Sequence, residues 1–295
     1  MYDGCSVGVV VPGYNEEGLI GEVIDGVPPF VDALYVVDDH STDGTWEEIK
    51  RATSDAPADA VPTPDGGRNS ATRVVTFRHR RNRGRGGAVK TGYRAALSDG
   101  MDVVAVMDGD GQMDPEILDE IVDPVVGDEV DYVVGDRLGE RTLRAEMPRF
   151  RLFGNLLLTL LTRVASGHWS VSDPQNGYTA ISRRALAALD IDALYDDYGF
   201  LNDLLVRLNV HGFRVVNVPM CARYGEEESG IHYSTFIPKL SLLLCRLLLY
   251  RLVVSRVWTP DGRDRTDPGH DPYPVGDESA VGLEVEEPPE RVDEL

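Results

Sequence analysis

The sequence predicts an α/β fold, a mostly parallel sheet with helices on both of its faces. Five short apolar runs rich in valine read as strands buried on both sides. Segments with helical patterning separate them, and that alternation builds parallel sheets from strand–helix–strand units. Each run also ends in polar residues, and in such sheets ligands bind beyond the carboxyl ends of the strands.

In chain order, VGVVV (7–11) is the first expected strand, broken by Pro12 and Gly13 and followed by a helix over 16–27. ALYVV (33–37) is the second, with a helix over 44–51. Residues 52–72 are rich in Pro, Gly, Asp and Ala and read as a flexible insertion. RVVTF (73–77), a helix over 86–98, VVAVM (103–107), a helix over 115–126 and VDYVV (130–134) complete the regular half. Further helices are expected at 149–165, 199–211 and 237–256. The tail from Thr259 carries a net charge of −9 and six prolines and is expected to be disordered. The organisation is thus one domain over 1–235, a basic apolar helix over 236–258 and an acidic tail over 259–295.

With 295 residues, of which 42% are hydrophobic, the chain can fill a substantial core. Its net charge of −21, with lysine only at Lys50, Lys90 and Lys239, excludes general nucleic-acid binding, which needs a basic footprint. Such a surface suits high salt, where the Debye length falls to ~3 Å at 1 M and self-repulsion is screened. Cys5, Cys221 and Cys245 are far apart, without metal spacing or a disulfide framework, and read as reduced structural thiols. The first residues show no basic segment followed by a long apolar run, so a cytoplasmic location is expected.

The chemistry lies at the strand ends. VVVPGYNEE presents Asn15 and Glu16, although acids at a helix start are favourable on their own account. In VVDDHSTDGT, Ser41 and Asp43 read as helix caps, which leaves the adjacent Asp38 and Asp39 unexplained. NRGRGGAVKTGY has no Gly-Lys-Ser/Thr, and Val89 stands where a third dinucleotide-binding glycine would be. What remains is a glycine-rich turn with Arg83 and Arg85, a place for a phosphate or for the acidic strand ends. MDGDGQMDP (107–115) crowds acids after a buried strand, a costly arrangement unless a cation offsets it. On extended backbone Asp108, Asp110 and Gln112 point to one side, and hard oxygens of this kind suit Mg²⁺ or Mn²⁺ bridging to a diphosphate.

In this order and spacing the four motifs resemble the inverting glycosyltransferase family 2, with its GT-A fold, over residues 7–235. The D-x-D-x-Q-x-x-P pattern is similar to that of the polyprenyl (dolichyl) phosphate sugar transferases within it. The resemblance implies that Pro12, Tyr14 and Glu16, with Asp39, hold the base and ribose of a nucleoside-diphosphate sugar, and that Arg85 joins the nucleotide site. Asp108 would face the nucleotide and share with Asp110 and Gln112 a divalent metal, Mg²⁺ or Mn²⁺.

On the acceptor side, VVGDR resembles the family's G-S-R segment, with Asp136 in place of serine and Arg137 as the candidate for an acceptor or leaving phosphate. VSDPQNGYTAISRRAL resembles the acceptor segment through Asp173, Gln175 and Asn176. Where many members carry paired acids this chain has Asn202-Asp203, making Asp203 the base candidate for a hydroxyl acceptor. A lipid phosphate is already anionic and needs no base. Arg223 resembles a lid-loop arginine for diphosphate, and Arg149 is a further candidate for the acceptor phosphate.

Residues 236–258 carry a net charge of +4 without the ~20 uninterrupted apolar residues that a spanning helix needs. The helix over 149–165 repeats the basic, leucine-rich pattern. Two such helices on an acidic chain suggest docking on an anionic membrane surface; packing on each other or on a second subunit is the alternative. The expected activity is metal-dependent sugar transfer to a polyprenyl or dolichyl phosphate, at the inner face of the cell membrane. A hydroxyl of a lipid-linked or surface polysaccharide precursor is the alternative acceptor. A nucleotidyltransferase would also use an acidic sheet edge but would release pyrophosphate, and a silent scaffold has no reason to hold Asp108, Asp110 and Gln112 together.

Overall fold

The computed structural model describes residues 1–54, 72–137, 149–197, 199–220 and 233–257. Its seven strands are β1 Val7–Gly13, β2 Ala33–Asp38, β3 Arg73–Arg78, β4 Val103–Val106, β5 Tyr132–Asp136, β6 Thr179–Ser182 and β7 Val215–Pro219. Its helices are α1 Ile20–Gly26, α2 Thr45–Ser54, α3 Gly84–Ser98, α4 Leu118–Val126, α5 Arg149–Ser166, α6 Arg183–Ala188, α7 Phe200–His211 and α8 Tyr233–Val257. One sheet runs β3-β2-β1-β4-β6-β5-β7. β6 is antiparallel to both β4 and β5, and the other pairings are parallel.

The valine runs form the buried strands that their composition requires, alternating between two cores. Val10, Tyr35 and Val106 face α3, α6 and α7, while Val9, Val11, Val36 and Ala105 face α1, α2 and α4. The first helix begins at Ile20 rather than at residue 16, because Asn15 (φ 59°) and Gly18 (φ 87°) adopt left-handed conformations that cannot start it. β5 lies two residues later than expected, so Asp136 ends the strand and Asp131 stands before it, receiving the Arg214 N–H and the Arg184 side chain. β6, β7 and α6 were not anticipated. Of the insertion expected at 52–72, residues 52–54 belong to α2 and 55–71 lie outside the described residues, as does the tail from 259.

A turn over 192–197 ties the two halves of the domain. Lys90 of α3 is buried, and its ammonium donates to the carbonyls of Asp192 (3.0 Å) and Leu194 (2.7 Å) and to Asp196 Oδ1 (2.6 Å). From the other side Asp203 of α7 accepts the Tyr195 N–H at 2.9 Å. The Asp196 carbonyl accepts the Gly87 N–H, and a Cβ at Gly86 would stand 2.6 Å from the same oxygen, so only glycine permits the approach.

α5 and α8 pack together through Leu158, Ala165, Leu240 and Leu244. Their outer sides leave Leu157, Leu160 and Leu161 of α5 and Leu242, Leu249 and Val253 of α8 exposed. Among the described residues no helix is long and apolar enough to cross a membrane. Two of the basic side chains expected to face a bilayer are turned inward instead: Arg163 donates to the Val171 carbonyl (2.6 Å) and Arg251 to the Val164 carbonyl (3.0 Å) at the end of α5, where a cation complements the helix dipole.

Replacing Lys90 by Met leaves Asp196 and two carbonyls without their cation, with an expected loss of about 3 kcal/mol in urea unfolding at unchanged m. His168, in the loop after α5, has its pKa pushed by burial, with Arg251 adding to it, from 6.5 to about 4. The folded chain therefore binds fewer protons there than the unfolded one, so this stabilisation is complete above pH 6.5 and drains away as pH falls toward about 4. His168→Gln should flatten that part of the slope, by at most about 3 kcal/mol, when unfolding is compared at neutral and acidic pH.

Candidate active site

The polar residues that follow β1 to β5 meet at one edge of the sheet, because the parallel register sets Gly13 beside Asp38 and Asp38 beside Arg78. The turns after β1 and β2 are laced together. Asn15 Oδ1 accepts the Thr42 N–H (2.9 Å), Asn15 N–H donates to Ser41 Oγ (3.0 Å), and Glu16 N–H donates to Thr45 Oγ1 (2.8 Å). Asp43 caps α2 as expected, accepting the Thr45 N–H. Pro12 is buried, Glu16 is partly exposed, and Tyr14 stands open at the rim.

Both aspartates at the end of β2, Asp38 within it and Asp39 just beyond, are buried and face cationic or N–H partners. Asp38 accepts the Ser41 N–H (2.9 Å) and pairs with Arg78 (3.0 Å), whose guanidinium lies 5.4 Å from the centre of the Trp46 ring. Asp39 accepts the Arg83 N–H (2.8 and 3.1 Å) and lies 2.6 Å from His79 Nδ1, while His79 Nε2 lies 2.9 Å from Thr91 Oγ1. The sequence did not point to His79 or Thr91, since neither carries a spacing signal. Their pairing with Asp39 exists only once β3 lies beside β2.

Asp108 stands just beyond β4, with Arg85 Nε and Nη2 each 2.8 Å from its Oδ1. Arg85 Nη2 also donates to the Gly177 carbonyl (3.1 Å). Burial disfavours the charged guanidinium, but Asp108 more than offsets this and raises its pKa. The expected extended alternation through Asp108, Asp110 and Gln112 is not what forms. Beyond Asp108 the backbone turns, with Gly111 at φ 70° and the Gln112 N–H donating to Asp110 Oδ1 at 3.0 Å. Among the described residues no three His, Cys, Asp or Glu side chains form a group able to hold a metal ion. Two carboxylates and an amide on one short turn are the hard oxygen donors that Mg²⁺ or Mn²⁺ favours, and they would leave several positions of such an ion open.

β6 runs against its neighbours, so the segment before it reaches the same edge. There Arg137 grips the buried Asp173 through two hydrogen bonds, Nε to Oδ2 at 2.7 Å and Nη2 to Oδ1 at 3.2 Å. Asp136, in the expected serine's place, accepts from Ser172 Oγ. Gln175 donates to Asn202 Oδ1 (3.0 Å), which also accepts from Thr162 (2.7 Å). Asn176 Oδ1 accepts the Tyr178 N–H (3.1 Å) and shapes the turn into β6. Asp203 is not directed at Gln175: its oxygens take Arg207 Nε (2.9 Å) and the Tyr195 N–H. Arg223 and the Arg149 side chain lie outside the described residues, although Arg149 begins α5.

The family model for glycosyl transferase family 2 matches residues 8–190. The UDP-N-acetylglucosamine–dolichyl-phosphate N-acetylglucosaminyltransferase of Methanococcus voltae is 29% identical over 219 residues, 74% of this chain and 86% of that protein. The undecaprenyl-phosphate mannosyltransferase of Micrococcus luteus is 31% identical over 227 residues, 75% of this chain and 84% of that protein. Among solved structures, glucosyl-3-phosphoglycerate synthase from Mycobacterium tuberculosis, in complex with Mn²⁺, UDP and phosphoglyceric acid, superposes with a TM-score of 0.58 at 23% identity, covering 84% of this chain and 78% of that one. That likeness concerns the GT-A fold. With acidic strand ends gathered at one edge of such a fold and a family match over most of the chain, the protein belongs to glycosyltransferase family 2.

Proposed function

We propose that the chain transfers a sugar from a nucleoside-diphosphate sugar to a polyprenyl or dolichyl phosphate, with inversion at the anomeric carbon, while docked on a membrane surface. The observation that carries this is the acceptor side. Arg137 is fixed at its edge, Asn202 and Gln175 meet there as amides, and the carboxylate of Asp203 is spent on Arg207 and Tyr195. A hydroxyl acceptor needs a base within reach of its proton, whereas a phosphate oxygen arrives without one to remove. Relatives whose names specify dolichyl and undecaprenyl phosphate support the same acceptor.

The phosphate oxygen attacks the anomeric carbon opposite the nucleoside diphosphate; the new carbon–oxygen bond forms as the bond to the diphosphate breaks. Pro12, Tyr14, Glu16 and Asp39 hold the base and ribose, Arg85 and Arg223 attend the diphosphate, and Arg137, Arg149, Asp173, Gln175 and Asn176 form the acceptor side. Held by Asp108, Asp110 and Gln112, Mg²⁺ or Mn²⁺ would neutralise charge that grows on the departing diphosphate. Arg137, pre-set by Asp173, orients the incoming phosphate without reorganising. Docking rests on the exposed leucines of α5 and α8 with the exposed Lys239 and Arg246 beside them.

The test is incubation with radiolabelled UDP- and GDP-sugars and polyprenyl phosphate in high salt with Mn²⁺ or Mg²⁺, followed by solvent extraction. Label entering the lipid phase is the expected result. Label that leaves the donor only when a glycan is supplied moves the acceptor to a hydroxyl. Asp110→Ala should lower transfer at least about a hundredfold, a loss of about 2.7 kcal/mol in the transition state, with an unchanged unfolding transition. Leu249→Glu with Val253→Glu alters two exposed positions, so the fold should persist while co-sedimentation with anionic phospholipid vesicles falls by about tenfold or more.

A further inference from the structure

Arg85 engages one oxygen of Asp108, a carboxylate that a divalent cation at this turn would also use. Two of its nitrogens lie 2.8 Å from Asp108 Oδ1, and its third contact is the Gly177 carbonyl. The fit is close on the side of Gly177: a Cβ there would stand 2.3 Å from Arg85 Nη2 and 2.5 Å from Asp108 Oδ2. Guanidinium and carboxylate are therefore packed against bare backbone. The pair is only partly open to solvent, with side-chain exposures of 27% and 22%, so water screens it less than a surface ion pair.

A guanidinium and a metal ion compete for the same lone pairs, and a protein turn that offers only Asp108, Asp110 and Gln112 has few to spare. A diphosphate changes the balance. It offers Arg85 the two-pronged oxygen partner that guanidinium groups favour, and it brings further oxygens for the cation. We propose that Arg85 is a counter-ion latch, holding Asp108 while the site is empty and releasing it to a divalent cation only when a nucleoside diphosphate draws the guanidinium away. Metal and nucleotide then enter as a pair, each raising the other's affinity by the same factor. The empty enzyme keeps Asp108 neutralised by its own side chain and does not collect free cations. The identity of the diphosphate as part of a sugar donor rests on the transferase reading above, but the latch itself is measured without any transfer.

The measurement is titration of the full chain with Mn²⁺, following free Mn²⁺ by its electron paramagnetic resonance signal, alone and with saturating UDP or GDP. The expected result is weak Mn²⁺ binding alone, tightened at least about tenfold by one of the nucleotides. Arg85→Met should tighten Mn²⁺ binding in the absence of nucleotide by about tenfold, the worth of one charge-assisted contact, and shrink the gain that nucleotide brings. Arg85→Gln serves the same purpose if the methionine variant does not fold. Mn²⁺ binding that is unchanged or weaker in a folded variant overturns the latch, and so does wild-type protein that binds Mn²⁺ equally well with and without either nucleotide. Absence of sugar transfer alongside an intact, Arg85-dependent coupling would remove the transferase reading and leave the latch standing.

Discussion

Negative charge gathered at one edge of the sheet is the constraint on which the molecule depends. Asp38, Asp39, Asp108 and Asp173 repel one another in the low-dielectric mouth of the fold, and each is answered locally: Arg78 for Asp38, His79 and the Arg83 N–H for Asp39, Arg85 for Asp108, Arg137 for Asp173. In a chain with a net charge of −21 these cations are scarce, and their placement shows where charge must be held without being cancelled by bulk salt. Arg78, Arg85 and Arg137 are the internal counter-ions of three of these aspartates.

The two halves of the domain are coupled through a segment that performs no chemistry. The 192–197 turn is held by Lys90 of α3 and Asp203 of α7, and it packs on the bare backbone of Gly86 at the start of α3. Because α3 also carries Arg85, a displacement of α7 reaches the Arg85–Asp108 pair through packed backbone. The cost of loosening that contact is borne by stability and by site geometry together.

Much of this was legible in the sequence because hydrophobic burial is a local signal. Valine runs of five residues with polar tips identify β1 to β5, and the acids of the D-x-D-x-Q turn stand out against any role in a core. What was not legible arises from tertiary pairing. β6 has four residues and β7 carries Asn217 in its middle, so neither reaches the length or apolar run that marks a strand. His79 meets Asp39, and Gly177 meets Arg85, only after separate strands come together. The partners of Asp203 were likewise hidden: it takes Arg207 and the Tyr195 N–H, while Asn202, about 100° round the helix, meets Gln175.

The reversed direction of β6 has a consequence for how such a molecule can diversify. Asp39, Arg85 and Asp108 follow strands that run parallel, whereas Asp173, Gln175 and Asn176 sit on a segment that enters an antiparallel one. The two sets share an edge in space without sharing a loop in the chain. Residues 173–176 can therefore be recoded while the register of β1 to β4 stays intact, whereas Gly177, whose carbonyl holds Arg85, ties the end of the entering segment to the other set.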